Sequence, residues 1–397
     1  MELPGKHILI IVENLPVPFD KRVWNEANAL TRAGYKVSII SPVGKGSEKR
    51  REDIEGISIY RHPVLAEGNG VLGYLVEYVS ALFWELTIAM RIHVSTGFDA
   101  IHACNPPDTI FLIGGLFKLL GKKFVFDHHD INPELFIAKF GKKGLFYRLI
   151  RFLEWMTFKT ADISIATNES YKEIAVTRGG MDPRKVFVVR SGPDLEKFRP
   201  VLPQDQLKEG RRHLVGYVGV MGKQEGLNYL LDAVKIIVEE RGRKDILFVI
   251  IGSGTEFDEI RRYASDIGVE PSVRFTGRIP DTELIAYLST ADVCVNPDVA
   301  NEMNDKSTMN KIMEYMALGK PVVQFDLTEG RRSAQDASLY ARKNDPADFA
   351  RKIVQLLDDP ARREAMGKYG KERVENCLAW EFSGRVLCEA YTSLFLR

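Results

Sequence analysis

The chain has 397 residues, with 55 lysines and arginines against 54 aspartates and glutamates, for a formal net charge of +1. That length exceeds one ordinary hydrophobic core and predicts two α/β domains of comparable size. A charge so near balance excludes a dedicated nucleic-acid binder, whose affinity comes from neutralising phosphates.

The first residues, Met1 to Lys6, lead straight into an apolar run, His7 to Val12, read as a strand. With no secretory signal ahead of it, a cytoplasmic protein is expected. The four cysteines, Cys104, Cys294, Cys377 and Cys388, are scattered without metal-ligand spacing, so reduced thiols are expected. Helical periodicity runs from Arg22 to Ala33 through Val23, Ala27 and Leu30 and stops at Gly34. Tyr35 to Ile40 is the next strand. Strands apolar at consecutive positions belong to a parallel sheet covered on both faces. Such a sheet binds ligands at the carboxyl ends of its strands, which places the loop from Glu13 to Lys21 on the functional edge. Val71 to Val94 is the longest apolar stretch, but Glu77, Glu85, Arg91 and His93 make it an amphipathic or buried helix rather than a membrane span.

Further strands are predicted at Ala100–His102, Lys123–Asp127, Ile163–Ala166 and Val186–Val189. The polar segment 196–212 reads as a linker between a domain over 1–195 and another over 213–377. In the second half, strands at Leu214–Gly219, Ile246–Ile251, Val273–Thr276, Val293–Asn296 and Pro321–Phe325 alternate with helices at Leu227–Glu240, Glu256–Ile267, Asp281–Ala291 and Thr308–Leu318. A last amphipathic helix within 378–397 is expected to pack back on the first domain.

The most informative stretch is Asn296 to Asp326, NPDVANEMNDKSTMNKIMEYMALGKPVVQFD. A polar loop leads into a helix with Ser307 and Thr308 as N-cap candidates. Met309, Ile312, Met313 and Met316 form its buried stripe, leaving Lys311 and Glu314 off it. The amino end of such a helix suits a diphosphate. A carboxylate one to two turns in suits ribose hydroxyls. An ordinary surface helix with solvated charges would read the same way.

This segment resembles the donor-binding signature of the family 4 glycosyltransferases, retaining enzymes of the GT-B fold. That signature has two glutamates separated by seven residues and then E-x-x-A-x-G-x-P-V-V. Glu314, Ala317, Gly319, Pro321, Val322 and Val323 match its second part. The resemblance covers nearly the whole chain. It implies two Rossmann-like α/β domains facing each other across a cleft. It further implies a nucleotide-sugar donor, here expected to be a UDP-sugar, with no cofactor and no metal. By the same resemblance Glu314 binds the ribose, and Ser307, Thr308, Met309, Asn310 and Lys311 line the diphosphate. Lys306 stands where the family has its first glutamate and is assigned to the catalytic group, set against a phosphate or an acidic sugar; Asp305 beside it is an alternative.

Tyr217 to Val234 resembles the family's first strand–loop–helix of the nucleotide domain. Val220 and Glu225 replace its usual Arg and Lys, and Lys223 is the cation available there, with Gly222 and Gly226 admitting phosphate. Arg278 and Ile279 match the segment that reads the base. In the first domain, Phe124 to Glu134, FVFDHHDINPE, gathers two histidines and two aspartates at a strand end. His129 matches the family histidine that lines the reacting sugar, with Asp130 orienting it. A metal held by His128, His129 and Asp130 would need a backbone bend, because adjacent strand residues point to opposite faces. Asp20, Arg22, Asn105 and Asp108 are the acceptor-side candidates.

Residues 139–159 carry six basic residues and one acidic residue, Glu154. A helix with its apolar face buried and its basic excess turned to an anionic membrane surface is expected. That would place the protein peripherally on the inner face of the cell membrane, near a lipid-linked or oligosaccharide acceptor. Two other functions fit the same residues: a GT-B nucleotide-sugar epimerase, and a scaffold that has lost its chemistry, which the departures at Lys306, Val220 and Glu225 favour.

Overall fold

A computed structural model describes residues 5–64, 70–141 and 143–396. The chain divides into two compact units, residues 1–191 with 381–397, and residues 192–380.

The first unit is built on a sheet of eight strands. These are β1 (His7–Ile11), β2 (Lys36–Pro42), β3 (Arg51–Ile54), β4 (Ile57–His62), β5 (Ala100–Cys104), β6 (Lys123–His128), β7 (Ile163–Ala166) and β8 (Val186–Val188). Their order is β3-β4-β2-β1-β5-β6-β7-β8, parallel throughout except for β3 against β4. β1 and β5 are buried at every position, as a doubly covered sheet requires. The helices are α1 (Lys21–Arg32), α2 (Gly70–Ser95), α3 (Phe111–Leu119), α4 (Asn132–Phe140), α5 (Leu145–Thr160) and α6 (Glu169–Thr177). Asp20 starts α1: its Oδ1 accepts from the amide of Val23 at 3.1 Å. The chain's last helix, Trp380–Leu396, returns to this unit from Glu381 on, and its Tyr391 hydroxyl lies 2.7 Å from Nδ1 of His102 in β5.

The second unit holds six parallel strands in the order β11-β10-β9-β12-β13-β14. They are β9 (His213–Val218), β10 (Ile246–Ile251), β11 (Val273–Gly277), β12 (Val293–Asn296), β13 (Val322–Phe325) and β14 (Ser338–Ala341). Among the intervening helices are α7 (Leu227–Lys235), α8 (Phe257–Asp266), α9 (Asp281–Thr290), α10 (Glu302–Lys306) and α11 (Asn310–Ala317). The segment read as a linker is tied to this unit: Val201 and Gln204 donate their amides to Ser289 Oγ at 3.2 Å and Thr290 Oγ1 at 2.9 Å.

Two local expectations are corrected. The helix expected from Thr308 is α11, which begins two residues later, at Asn310; the polar loop before it holds the short α10, capped by Asn301, and the chain straightens at Ser307 between the two. Ser307 and Thr308 are therefore not its N-cap. Met309 holds that place without a side-chain bond, and the Ser307 hydroxyl donates instead to the Met303 carbonyl at 2.8 Å. The helix from Leu227 also changes to wider, π-type winding at Ile236 rather than running uniformly to Glu240.

Candidate functional site

At the carboxyl ends of β5 and β6, the first unit concentrates buried charge around Asp127. The Arg22 guanidinium reaches in from the first turn of α1. Its Nη2 lies 2.9 Å from Asp127 Oδ1 and 3.0 Å from Glu26 Oε1, while Nη1 donates to the Val189 carbonyl at 2.8 Å. His102 Nε2 is 3.2 Å from the other oxygen of Asp127. His129 Nε2 stands 2.5 Å from that same oxygen and 2.9 Å from Arg22 Nε. One ring nitrogen cannot both donate to the carboxylate and accept from the guanidinium. The shorter, charge-assisted contact assigns the proton to Nε2, pointing at Asp127. Nδ1 of His129 is then the ring's free acceptor, on a side chain that stays 15% exposed.

The two carboxyls of this cluster are driven apart. Burial raises both. For Asp127 the charge of Arg22 and the bonds from the histidines outweigh burial and hold it well below the usual carboxylate range. For Glu26 burial prevails over Arg22, and the group is held well above that range. Asp127 is thus the anion that fixes Arg22 and His129, while burial sets Glu26 against ionisation.

Asn105 and Asp108 have a different task from acceptor contact. The Asn105 side-chain oxygen accepts the amides of His129 (2.7 Å) and Asp130 (3.1 Å), and its amide nitrogen donates to Asp108 (2.9 Å) and to the Asp130 carbonyl (2.7 Å). The second Asp108 oxygen accepts from Asn132 at 2.8 Å. Both side chains are buried and committed, so they shape the loop that presents His129 rather than reach a ligand. Arg22, too, is spent on the cluster, and Asp20 on its helix cap. Asp130 is a carboxyl raised by burial beside this loop.

His128, Asp130 and His129 do not converge. His128 is fully buried among Phe126, Phe158 and Tyr171, on the side of Glu154. Burial pushes its pKa down to about 3, so the ring is neutral. Metal-ligand atoms do gather in two other sets, His102 with Cys104 and Asp127, and Glu26 with Asp127 and His129. Arg22 already places a cation against the second.

In the second unit, α11 presents two charged side chains. Lys311 is not free for a phosphate. Its ammonium lies 2.5 Å from Glu225 and 3.1 Å from Asp298, and 4.8 Å from the ring centre of Tyr217. The Tyr217 hydroxyl in turn donates to Glu225 at 3.0 Å. Burial raises the Asp298 carboxyl to about 7 against the pull of Lys311. Glu225, standing where a family cation was expected, is thus the internal partner of Lys311. Glu314, one turn further on, makes no side-chain hydrogen bond among the described residues, and burial raises its pKa.

The loop before α7 is braced against the loop before α10. Asn304 donates to the carbonyls of Gln224 and Val299, each at 2.9 Å. Gly226 has a left-handed φ of 63°, and a side chain there would strike the Pro297 carbonyl at 2.0 Å, so packing alone demands this glycine. At Gly222, by contrast, a Cβ would meet nothing closer than 3.9 Å. Lys223 beside it is exposed. Arg278, exposed, and Ile279, half-buried, follow the carboxyl end of edge strand β11. Lys306 pairs with Glu302 at 2.9 Å. Asp305 is held by the Thr328 amide and hydroxyl and by Lys343, which turns it to its own unit rather than to a sugar.

The α5 surface reverses the expectation of a buried apolar face. Leu145, Phe146, Leu149, Phe152 and Trp155 are exposed, alongside Arg148 and Lys159. The one acidic residue, Glu154, is turned inward onto Arg178 at 2.5 Å. Lys142 lies outside the described residues.

Two sequence-family models match the chain: one described as Glycosyltransferase Family 4 over residues 20–197, the other as Glycosyl transferases group 1 over 212–359. A D-inositol 3-phosphate glycosyltransferase of Corynebacterium urealyticum is 30% identical over 62% of this chain and 59% of its own. The stretch matched in that relative and in its counterpart from Corynebacterium kroppenstedtii is thus less than two thirds of their length, 59% and 55%. A 2-deoxystreptamine glucosyltransferase of Streptomyces kanamyceticus is 26% identical over 88% of this chain and 92% of its own. Among solved structures, sucrose-phosphate synthase from Thermosynechococcus elongatus superposes with a TM-score of 0.77 at 19% identity, covering 98% of this chain and 99% of that one. HepE of Anabaena in complex with UDP does so with a TM-score of 0.73 at 13% identity, covering 98% and 100%. The two matched segments fall one in each unit, on the parallel sheets that carry Glu314 and His129, and the chain belongs to the family 4 glycosyltransferases of the GT-B fold.

Proposed function

We propose that this protein transfers a sugar, with retention, from a nucleoside diphosphate to a saccharide acceptor carried on lipid, in surface polysaccharide or glycolipid assembly. The observation that carries the reading is Glu314: a carboxylate on α11, largely buried yet unbonded to any described side chain or amide, where ribose hydroxyls would satisfy it. The amides of Met309, Asn310 and Lys311 at the amino end of α11, ahead of the Ile312 amide that donates to the Met309 carbonyl, are the N–H groups offered to the diphosphate. Lys223, exposed beside Gly222, is the mobile cation for it, because Lys311 is committed to Glu225 and Asp298. A UDP-sugar is the donor of choice. HepE, similar in fold, binds UDP and UDP-glucose, and a capsular polysaccharide biosynthesis glycosyltransferase of Staphylococcus aureus is 27% identical over 64% of this chain.

In the transfer, the bond from the anomeric carbon to the diphosphate breaks, and the acceptor oxygen bonds to that carbon on the same face. The acceptor proton passes to the departing phosphate oxygen, so no enzymatic nucleophile is required. His129, aligned by Asp127, positions the sugar through Nδ1. The exposed apolar and basic face of α5 docks on an anionic membrane, where a lipid-linked acceptor resides. No helix among the described residues is long and apolar enough to cross it.

Calorimetric titration with UDP and UDP-glucose tests the reading. Binding by the wild type and a loss of about tenfold or more in Glu314→Ala are expected, for one charge-assisted hydrogen bond. Equal affinity in the variant would reject the ribose role. Absence of binding by any nucleoside diphosphate would leave the scaffold reading, and a sugar isomer formed without acceptor would leave the epimerase.

A further inference from the structure

A groove of 1040 Å³ runs between α2 and the β3–β4 edge of the first unit, away from the His129 loop. Its walls are of two kinds. Arg50, Arg51 and Arg91 are exposed, and no carboxylate pairs with any of their guanidinium groups among the described residues. Trp84, Ile88, Met90 and Val94 supply an apolar wall from α2.

The acidic residues nearby are used elsewhere. Glu52 alternates to the opposite face of β3 from Arg51 and is bound by Arg61 at 2.6 Å. Asp53 accepts from Ser58 at 2.5 Å. Arg51 stacks over Tyr60, 5.1 Å from the ring centre, which holds its guanidinium at the rim.

The groove does not end at its rim. Val76, Val79, Phe83, Met90 and Val94 follow one another at helical spacing along the outside of α2, and all are exposed. Met90 and Val94 belong to both the groove and this stripe. An unpaired cationic rim would attract a free anion in water, but an apolar stripe running out of it has no use for one. The combination fits an amphiphile: phosphate at the arginines, chain along Trp84 and Ile88, further chains over the stripe.

We propose that this groove binds one anionic phospholipid of the bilayer, its phosphate held by Arg50, Arg51 and Arg91 and its acyl chain laid along α2. This deepens the membrane part of the proposed function and gives the first unit a second lipid contact besides α5.

The test titrates the full-length protein with dioctanoyl phosphatidic acid, without nucleotide, reading Trp84 fluorescence against a Trp84→Phe control. Saturable binding is expected, weakened about tenfold or more in Arg50→Gln/Arg51→Gln/Arg91→Gln and unchanged in Arg148→Gln/Arg151→Gln on α5. Dioctanoyl phosphatidylcholine and inorganic phosphate should not compete. Equal affinity in the triple variant would overturn the proposal. So would competition by inorganic phosphate, which would mark a simple anion pocket, or by phosphatidylcholine, which would mark apolar adsorption alone. Because nucleotide is absent, a failure here is separable from a failure of UDP binding.

Discussion

Replacing Glu85 with glutamine should flatten the pH dependence of the first unit's stability. Glu85 sits on α2, fully buried, with neither carboxyl oxygen hydrogen-bonded. Burial, with a smaller push from Glu13, raises its pKa from 4.5 to about 8. At pH values below 4.5 the folded and unfolded chains both carry the proton, and the site costs nothing extra. As the pH climbs toward 8 the unfolded chain sheds its proton while the folded chain keeps it, so stability falls. Above 8 the loss levels off. Between pH 5 and 7 the drop amounts to about 2 to 3 kcal/mol, at 1.36 kcal/mol per pH unit of differential titration. In a unit of this size that is about 5 to 10 °C in melting temperature. Glutamine leaves polar atoms equally unbonded but cannot titrate, so its cost is the same at every pH. Thermal denaturation of wild type and Glu85→Gln from pH 5 to 8, followed by circular dichroism, measures the difference directly. The gap between them should grow with pH in favour of glutamine. Parallel curves would mean that Glu85 is solvated or partnered, and the reasoning would fail.

His129→Ala should lower turnover about a hundredfold or more while UDP affinity changes less than about twofold, because the residue positions the sugar and not the nucleotide; paired kinetics and calorimetry decide it. Asp127→Asn should destabilise the first unit by about 3 kcal/mol in urea denaturation, since it strips Arg22 of its buried counter-charge. Lys311→Met should leave Glu225 and Asp298 without their cation and destabilise the second unit by about 3 kcal/mol. Asp298 would then titrate above its present value of about 7, so the variant should lose further stability as pH rises through neutrality.

The alternation of apolar strands with periodic helices was enough to read most of both sheets. β3 is hidden because Arg51–Ile54 is a charged edge strand, patterned for solvent rather than for a core, and β4 because Ile57–His62 alternates with polar residues and ends in Arg61 and His62 instead of running apolar. β14, Ser338–Ala341, lacks the β-branched apolar residues that mark the other short strands, such as Val293–Asn296 and Val322–Phe325. Residue type singles out the FVFDHHD strand end, where the structure gathers buried charge, but not who bears that charge. Asp127 stood in plain view there. Glu26 lies three residues after Val23, on the apolar stripe of α1, which marks it as an acid inside a core. His102 sits inside a buried strand. Their meeting depends on strand order, which pairs Cys104 with Asp127 across β5 and β6, and a linear reading does not contain it. For the same reason Lys311 looked available: its partners Glu225 and Asp298 arrive from two other loops. At Glu225 the family comparison was read as a lost cation, whereas the acid and Lys311 form a pair within the fold.

The hydroxyl of Tyr391 completes the hydrogen bonding of His102 from the last helix of the chain. On the ribosome, therefore, everything from Gly192 to Trp380 is made before the piece that closes the first unit. While that stretch is being made, the histidine–carboxylate nest stands unfinished, its wall open. The half whose first strands are made earlier is therefore closed only after the other half has been made.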